Sequence, residues 1–282
     1  MEKNYKIERM SKEEVEMVVH WAASEGWNPG LHDADCFYQT DPSGFFAGKL
    51  DGEIIAVGSA VVYDAEFAFC GFYIVAPGFR HQGYGMALTE ARLNYIGERN
   101  AGIDAVASML KKYERLGYQI AHNNARYTSP AAFFQNVDQT GIVLLTEIDF
   151  SRLVEYDAQH FPARRDTFLR CWIHQPNSLS IGYINNNELK GYGVIRPCQQ
   201  GFKIGPLFAD SAEIADLFFR HLANFAQGEI IYLDIPENNS NAKILVKHYK
   251  MEKVFETARM YLKGEPKLPI EHIYGITSFE LG

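Results

Sequence analysis

The amino-acid sequence predicts an α/β fold, more closely an α+β mixed sheet with helices on its faces, built twice in tandem. Strand-like and helix-like patterns alternate through the first half of the chain, which favours a sheet covered by helices. Residues 145–282 repeat that plan weakly, as an internal duplication would. A chain of 282 residues with 47% hydrophobic residues is long and apolar enough for two cores. We therefore predict two related domains, residues 1–145 and 146–282.

The first domain is predicted to begin with a helix over residues 10–24. Ser11 is its N-cap and Glu14 stands three positions later, which is the spacing of a capping box. A hairpin follows, because the turn Asp51-Gly52 separates the apolar runs FFAGKL and EIIAVGSAVVY. Residues 67–75 (FAFCGFYIV) are apolar throughout, which predicts a central strand. The remaining predicted elements are a helix after Gly85, a strand over 103–107, a helix ending at Gly117 and a strand over 118–122.

The second domain is predicted to follow the same order of elements. Two hairpin strands, over 181–183 and 192–195, flank an Asn-rich turn, and a central strand covers 202–208. The next helix is predicted over ADSAEIADLFFRHL, and residues 230–254 are similar in pattern to residues 101–120. The run HIYGITSFELG is too apolar for a frayed tail, so we expect it to dock as a strand or extended segment near the domain interface.

Charge and cysteine content argue against several classes of protein. The 35 acidic and 27 basic residues give a formal net charge of −8, which disfavours binding to nucleic acid or to an anionic membrane. The four cysteines are scattered without a CxxC pair, so no metal is expected and reduced, buried thiols are predicted. The N-terminal residues contain no apolar signal segment, and no run is long enough to cross a bilayer. We predict a soluble, cytoplasmic protein with no membrane partner; homo-oligomers are left open.

A phosphate-binding loop is predicted where the central strand meets the next helix. In FYIVAPGFRHQGYG (72–85), Arg80, Gly83 and Gly85 cluster just before the helix. A helix N-terminus offers unpaired N–H donors and partial positive charge to a phosphate. The two glycines leave room for a ligand to approach the backbone, and Arg80 adds a fixed charge. The loop lacks the GK[ST] of a Walker A motif and the third glycine of a dinucleotide loop, so a plain tight turn is the alternative.

Two motifs resemble those of the GNAT acetyltransferase superfamily. Arg80-His81-Gln82-Gly83-Tyr84-Gly85 is similar to the family's pyrophosphate loop R/Q-x-x-G-x-G/A, and it lies after strand four and before the long helix. Tyr113-Glu114-Arg115-Leu116-Gly117-Tyr118 resembles the family's Y-x-x-x-G-[FY] motif. This resemblance covers about residues 5–130. The segments GWNPG, RYTSP, GPLFADS, LDIPENN, ARMY and GITSFELG extend it to a subgroup with a second GNAT-like domain at the C-terminus.

The resemblance implies that acetyl-CoA binds to the first domain. Backbone N–H groups from Gln82 to Met86 would hold the pyrophosphate, and strand four would pair with the pantetheine arm. A backbone N–H of that strand would polarise the thioester carbonyl. Tyr113 occupies the position that donates a proton to the CoA thiolate, unless it is only a packing residue. The implied acetyl-CoA site comprises Ile74, Val75, Arg80, His81, Gln82, Gly83, Tyr84, Gly85 and Met86.

The acceptor pocket is expected at the segment after the first helix, which covers the acetyl end in this fold. Its candidate residues are Trp27, Asn28, His32, Asp33 and Tyr73. Each has a plain structural alternative: Trp27 could anchor the loop to the core, and Tyr73 could be a packing residue of a sheet strand.

No general base is evident in the sequence. A primary amine is mostly protonated at neutral pH, so one proton must leave before the amine attacks. The predicted central strand contains no carboxylate. Glu66, Asp64, His32 and Asp33 are nearby candidates, and a water chain or no dedicated base stays open as well.

The second domain lacks both functional features of the first. Overlaying ADSAEIADLFFRHL on RHQGYGMALTEARL puts Ala212 in the place of Gly83, while Asp210 and Glu213 bring negative charge to the loop. The same comparison puts Val246 in the place of Tyr113. We therefore predict a degenerate copy that packs against the first domain or recognises the acceptor.

Together these observations predict an N-acetyltransferase that transfers an acetyl group from acetyl-CoA to the amine of a small-molecule acceptor by direct attack. The alternative is a non-catalytic acyl-CoA-binding or sensing module. A purely structural pair of domains is disfavoured, because Arg80, Gly83, Gly85 and Tyr113 are all present in the first domain.

Overall fold

The computed structural model of the chain describes residues 4–130 and 133–282. Within them, thirteen strands form one continuous mixed sheet, and eight α-helices pack against it. The strands are β1 Tyr5–Arg9, β2 Phe45–Leu50, β3 Glu53–Val62, β4 Phe67–Val75, β5 Asn100–Ala105, β6 Gln119–Ser129, β7 Ile142–Leu144, β8 Leu179–Asn185, β9 Glu188–Pro197, β10 Phe202–Ala209, β11 Ile231–Pro236, β12 Glu252–Tyr261 and β13 Ile273–Gly275. The helices are α1 Lys12–Ser24, α2 Asp33–Thr40, α3 Tyr84–Ile96, α4 Leu110–Arg115, α5 Phe150–Asp157, α6 Asp166–Trp172, α7 Ala212–Phe225 and α8 Ser240–His248. No helix in the described ranges is both long and apolar enough to span a bilayer.

The sheet has the same strand order on both sides of its centre. From one edge inward it runs β1-β2-β3-β4-β5-β12, and from the other edge it runs β7-β8-β9-β10-β11-β6. The pairs β4–β5 and β10–β11 are parallel, whereas the strands around them are antiparallel. The predicted fold, a mixed sheet with flanking helices built twice in tandem, is therefore confirmed.

The two halves of the chain exchange one strand each, β6 and β12, at the centre of the sheet. β12, from the second half, pairs with β5 of the first, so that Arg259 lies opposite Asp104. In return β6 pairs with β11, and Tyr127 lies opposite Leu233. The predicted boundary near residue 145 divides the repeat in the sequence, but each half of the sheet is completed by a strand from beyond that boundary.

Buried ion pairs join the two halves. Arg126 of β6 donates hydrogen bonds of 2.6 and 2.7 Å to Asp234 of β11. Arg196 of β9 donates bonds of 2.7 and 3.0 Å to Asp33 at the start of α2. Burial alone would raise the pKa of both carboxyl groups, but the facing arginines outweigh it and hold each pKa below its usual value. Separating the halves would leave these charges buried without a partner or force them back into water.

Short-range signals in the first half predicted its elements well. Ser11 and Glu14 form the reciprocal capping box at the start of α1. Asp51 and Gly52 have φ values of 50° and 91°, as a tight hairpin turn requires. β4 lies inside the sheet between β3 and β5, as its apolar sequence predicts. The helix α2 was not predicted, because the turn-like residues up to Asp35 hide its beginning at Asp33.

The prediction of four reduced cysteines is wrong. Cys36 of α2 and Cys171 of α6 form a disulfide, with their Cα atoms 5.3 Å apart. Cys70 and Cys198 are free and buried. The bonded cysteines are 135 residues apart in the sequence, and only the packing of α2 against α6 brings them together. The spacing of the cysteines along the chain therefore did not predict the disulfide.

Candidate active site

The central feature of the candidate site is an opening between β4 and β5. The two strands pair only from Phe67 to Cys70, opposite Asn100 to Ile103, although β4 continues to Val75. Beyond Cys70 the β5 side of β4 has no strand partner among the described residues. Phe72 has a positive φ of 48°, and the pairing of β4 with β3 shifts register there. This bulge bends β4 away from β5.

A cleft of about 60 Å³ lies at this opening, and both halves of the chain line it. Its residues from the first half are Trp27, Cys70, Gly71, Phe72, Tyr73, Ile103, Asp104, Ala105, Val106, Met109 and Tyr113. Those from the second half are Phe255 and Thr257 of β12, together with Phe279 and Glu280 near the C-terminus. The volume suits a small reacting group rather than a whole ligand.

Tyr113 lies on the wall of this cleft, within α4. Its side chain is buried and packs edge-on against Tyr118, with ring centroids 5.8 Å apart. Burial raises the pKa of the Tyr113 phenol, and the nearby Arg92 guanidinium opposes that rise without cancelling it. The phenol therefore keeps its proton at neutral pH and can act as a proton donor.

The predicted phosphate loop sits at the start of α3, at the far end of β4. Gly83 is the N-cap of this helix with φ of 89°, and no side chain caps the helix there. A Cβ atom built on Gly83 would meet no atom within 4 Å, so its backbone faces open space. A Cβ on Gly85 would instead overlap the Tyr73 hydroxyl. The first glycine is therefore needed for its backbone angle, and the second for the packing of Tyr73.

The polar side chains of the loop are partly used within the protein. Arg80 donates a 2.8 Å hydrogen bond from Nε to the carbonyl oxygen of Val75 and forms an ion pair with Glu25. Gln82 donates a 3.0 Å hydrogen bond to the carbonyl oxygen of Gly78. His81 has a positive φ of 63°. These contacts brace the turn, and the exposed N-terminus of α3 stays open to an anion.

The structure brings two of the five acceptor candidates to the cleft. Trp27 and Tyr73 line it, and Tyr73 also contacts the Lys112 ammonium group. Asn28 instead joins the two halves, because its amide bonds the backbone of Gln200 at 2.9 and 3.1 Å. Asp33 is fully buried in its ion pair with Arg196 (above).

The remaining candidates for a base lie away from the cleft. His32 borders a separate surface pocket beside Cys36. Asp64 accepts 2.8 Å hydrogen bonds from the backbone N–H groups of Glu66 and Phe67, which closes the β3–β4 turn. Neither Asp64 nor Glu66 lines the cleft. At the end of β4 where the cleft lies, the carboxylates are Asp104 and Glu280.

Glu280 was not among the predicted site residues, because it lies 167 positions from Tyr113 along the chain. One signal could have found it: Glu280 is the single acidic residue in the apolar run from 273 to 282. A carboxylate in a segment that must be buried needs an explanation.

The matching opening in the second half is closed by the chain itself. β10 and β11 pair only from Phe202 to Ile204, after which β13 pairs with β10 instead. The N–H of Ile276 then donates a 2.8 Å hydrogen bond to the carbonyl oxygen of Asp234 on β11. The C-terminal run thus docks between these strands, as an extended segment was predicted to do.

The start of α7 also differs from that of α3. Ser211 is its N-cap, and its hydroxyl accepts a 3.4 Å hydrogen bond from the N–H of Ile214. Glu213 adds an acidic group in the first turn. The backbone donors that remain free on α3 are therefore partly satisfied on α7.

One group of side chains in the described part of the chain offers metal-ligand atoms close together. The ligand atoms of His160, Asp210 and His272 lie within 4.8 Å of one another. Asp210 accepts a 2.8 Å hydrogen bond from the Tyr156 hydroxyl, and His160 Nδ1 contacts the Tyr156 carbonyl oxygen at 2.9 Å. None of these three residues lines the cleft beside Tyr113. The chemistry predicted for the cleft does not require a metal ion.

Comparison with known proteins decides the family. Residues 8–118 match the profile of the acetyltransferase (GNAT) family, and residues 153–275 match that of an acetyltransferase (GNAT) domain. The holothin acyltransferase of Pseudoalteromonas sp. (strain SANK 73390) is 30% identical over 274 residues, 96% of this chain and 92% of that protein. The chain belongs to the GNAT family. It is a tandem GNAT protein, with one GNAT match in each half.

Other similar proteins align with nearly the whole chain. An uncharacterised N-acetyltransferase of Bacillus subtilis (strain 168) is 22% identical over 97% of both chains. A structure from Pyrococcus horikoshii, assigned as an acetyltransferase, superposes with a TM-score of 0.84 at 21% identity, covering 99% of this chain and 96% of its own. A tandem GNAT protein of the clavulanic acid biosynthesis pathway superposes at 0.63 with 13% identity, over 94% and 100%. The two structures share the fold.

Proposed function

We propose that this GNAT protein transfers an acetyl group from acetyl-CoA to the amine of a small molecule, in the cleft between β4 and β5. The main support for this proposal is that three features lie together in the first half. These are the opening beyond Cys70, the uncapped N-terminus of α3 and the buried phenol of Tyr113 on the cleft wall. In the second half, the matching opening between β10 and β11 is filled by β13.

The donor site of the proposal is formed by β4 and α3. The N–H groups from Gln82 to Gly85 would hold the pyrophosphate, since Gly83 leaves the helix N-terminus clear. The N–H of Met86, the last residue predicted for this loop, already donates a 2.9 Å hydrogen bond to the Gly83 carbonyl oxygen. Ile74 and Val75 would lie along the pantetheine arm, although the Val75 carbonyl oxygen already accepts a hydrogen bond from Arg80. Bound acetyl-CoA supplies an activated thioester to this site. His81 and Tyr84 flank the turn, and Arg80 braces it.

Tyr113 is the proposed general acid. Attack by an amine nitrogen on the thioester carbon forms a C–N bond and breaks the C–S bond, and the departing thiolate needs a proton. The nitrogen loses one proton as the amide forms, and this proton restores the proton donor. The Tyr113 hydroxyl holds that proton, because burial raises the pKa of the phenol. A backbone N–H of β4 at the bulge would stabilise the charge that develops on the carbonyl oxygen.

The proposal places one acetyl-CoA per chain, in the first half. The matching place in the second half is filled by β13 and the backbone of Ile276, so the pantetheine arm has no free strand edge there. Two equivalent sites measured by calorimetry would contradict this assignment.

Gly83→Glu is expected to weaken acetyl-CoA binding at least about tenfold, by bringing a like charge to the pyrophosphate. Gly52→Glu is the matched control: Gly52 also has positive φ, 91° against 89°, and also faces open space, but it lies in the β2–β3 turn. Backbone strain is thereby equal in the two variants. Titration calorimetry of both, with their melting temperatures, makes the comparison. Equal acetyl-CoA affinities of the two variants would show that the pyrophosphate does not bind at the start of α3.

Transfer itself is tested by CoA thiol release with a panel of acceptors. The panel contains primary amines, the matching alcohols, and holothin, because a relative is named a holothin acyltransferase. Amine-dependent thiol release supports the proposal. Tight acetyl-CoA binding without release across the panel would favour a sensing module instead.

A cytoplasmic location is part of the same proposal. Reducing conditions in that compartment would open the bond between Cys36 and Cys171 and leave two thiols. The cleft residues do not include either cysteine, so the proposed chemistry does not depend on this bond.

A further inference from the structure

The C-terminal segment, residues 273–282, belongs to both halves of the molecule. All ten of its residues are buried. Its first part pairs with β10 and closes the second opening. Its last part crosses to β4, where a Cβ atom on Gly71 would overlap the carbonyl oxygen of Glu280. The same segment that closes one opening therefore forms a wall of the other.

Glu280 has an unusual environment for a carboxylate. The residue is only 2% exposed, and neither carboxylate oxygen has a hydrogen-bond partner in the described part of the chain. Glu280 lines the cleft together with Gly71 and Tyr113. Buried polar groups without partners are rare because each loses its hydration without compensation. An unpaired carboxylate on a cleft wall is therefore a site for a ligand that brings a donor or a positive charge.

The cations near Glu280 are already engaged elsewhere. Arg126 and Arg196 hold Asp234 and Asp33 in two-point ion pairs. The third cation, Lys203, donates a 2.7 Å hydrogen bond to the carbonyl oxygen of Asn28. These groups lessen the cost of a charge on Glu280 but do not contact its oxygens.

The other carboxylate of the cleft, Asp104, already has hydrogen-bond partners within the protein. Asp104 accepts hydrogen bonds of 2.7 and 3.0 Å from Arg259 and one of 2.8 Å from Asn124. Cys70, Tyr73 and Tyr113 complete the ionisable groups that line the cleft. Among the ionisable residues that line the cleft, Glu280 is thus the one whose carboxylate has no hydrogen-bond partner in the described part of the chain.

We propose that Glu280 binds the ammonium group of the acceptor and takes its proton, so that the acceptor is a primary or secondary amine. This inference rests on the proposed function and names a residue and a substrate class for it. The proton passes from the amine nitrogen to a Glu280 carboxylate oxygen, which frees the nitrogen lone pair for attack. The proton leaves to solvent after the product departs. An alcohol brings no charge to pair with the carboxylate and should bind poorly.

The surroundings of Glu280 raise the pKa of its carboxyl group above the usual value. Burial raises the pKa of its carboxyl group, while Lys203 and the two arginines limit that rise and Asp33 adds to it. A base with a raised pKa accepts a proton from an amine more readily than an ordinary glutamate. Activity that depends on this base should increase as pH rises through the pKa of Glu280.

Glu280→Gln is the decisive variant, because it keeps the shape of the side chain and removes its charge. Glu271→Gln is the control, since Glu271 is an exposed glutamate only nine positions earlier in the chain. The probes are butylamine and 2-phenylethylamine, with butanol and 2-phenylethanol as uncharged counterparts. We expect Glu280→Gln to weaken amine binding at least about tenfold and to lower kcat/KM by about 10²-fold. It should also remove the part of the pH dependence of kcat/KM that follows the Glu280 carboxyl group, keep the rise caused by deprotonation of the amine itself, and leave acetyl-CoA affinity unchanged.

Measured affinities for the amines test the role of Glu280 separately from acetyl transfer. If the wild type binds the amines but releases no CoA, transfer fails, and the affinities of the two variants still decide the role of Glu280. Equal affinity of wild type and Glu280→Gln for the amines, or no amine binding by the wild type, overturns the inference. Loss of an unpaired buried charge should not lower the melting temperature. If Glu280→Gln nevertheless unfolds, Glu280→Met removes the charge with an apolar side chain of similar length, and wild-type amine affinity and pH profile in that variant would equally overturn the inference.

Discussion

Tyr113→Phe lowers the turnover number by about 10²-fold or more, which is the usual contribution of a general acid. The substitution keeps the ring that packs against Tyr118 and removes only the hydroxyl group. Affinity for acetyl-CoA stays close to that of the wild type, because the donor site proposed above lies on β4 and α3. The measurement is steady-state CoA release under saturating substrates, with acetyl-CoA affinity measured separately by calorimetry.

Tyr118→Phe is the matched control for this prediction. Tyr118 is buried beside Tyr113, and its hydroxyl contacts Cys70 Sγ at 3.8 Å, but it does not line the cleft. Removal of its hydroxyl should leave turnover within a few-fold of the wild type. Equal losses in the two variants, or unchanged turnover in Tyr113→Phe when chemistry limits the rate, would assign Tyr113 to packing alone.

We expect a fragment of residues 1–145 not to fold by itself. In it β6 has lost both of its neighbours, β11 and β12, and β5 has lost its partner β12. Arg126 and Asp104 would lose their ion partners, Asp234 and Arg259. Open strand edges and unpaired charges both favour unfolding and aggregation. The cleft would also lose every wall residue that the second half supplies.

The test compares this fragment alone with the same fragment co-expressed with residues 146–282. The two pieces together retain every strand pair of the sheet, so we expect a soluble complex that unfolds cooperatively. The first fragment alone should be insoluble or lack a cooperative thermal transition. A soluble, cooperatively folded 1–145 fragment would show that the exchanged strands are dispensable and that the boundary near residue 145 separates independent domains.

Local sequence was sufficient for the elements that depend on near neighbours. The capping box of Ser11 and Glu14, the Asp51-Gly52 turn and the apolar run of β4 each act within a few residues. The family resemblance has the same origin, since the loop from Arg80 to Gly85 is one short turn at a helix start. For these features the sequence alone determined both the position and the type of structure.

Tertiary structure alone decided which residues meet. Asp104 and Arg259 are 155 positions apart, and the exchange of β6 and β12 that joins them leaves no periodic trace in either strand. Asn28 and Asp33 were predicted at the acceptor, but the interface uses them to hold the second half. Glu280 reaches the cleft only because the C-terminal segment closes one opening and continues to the other. The physical reason is common to all three: hydrophobic periodicity specifies which face of an element is buried, whereas strand pairing and buried ion pairs specify what that face is buried against.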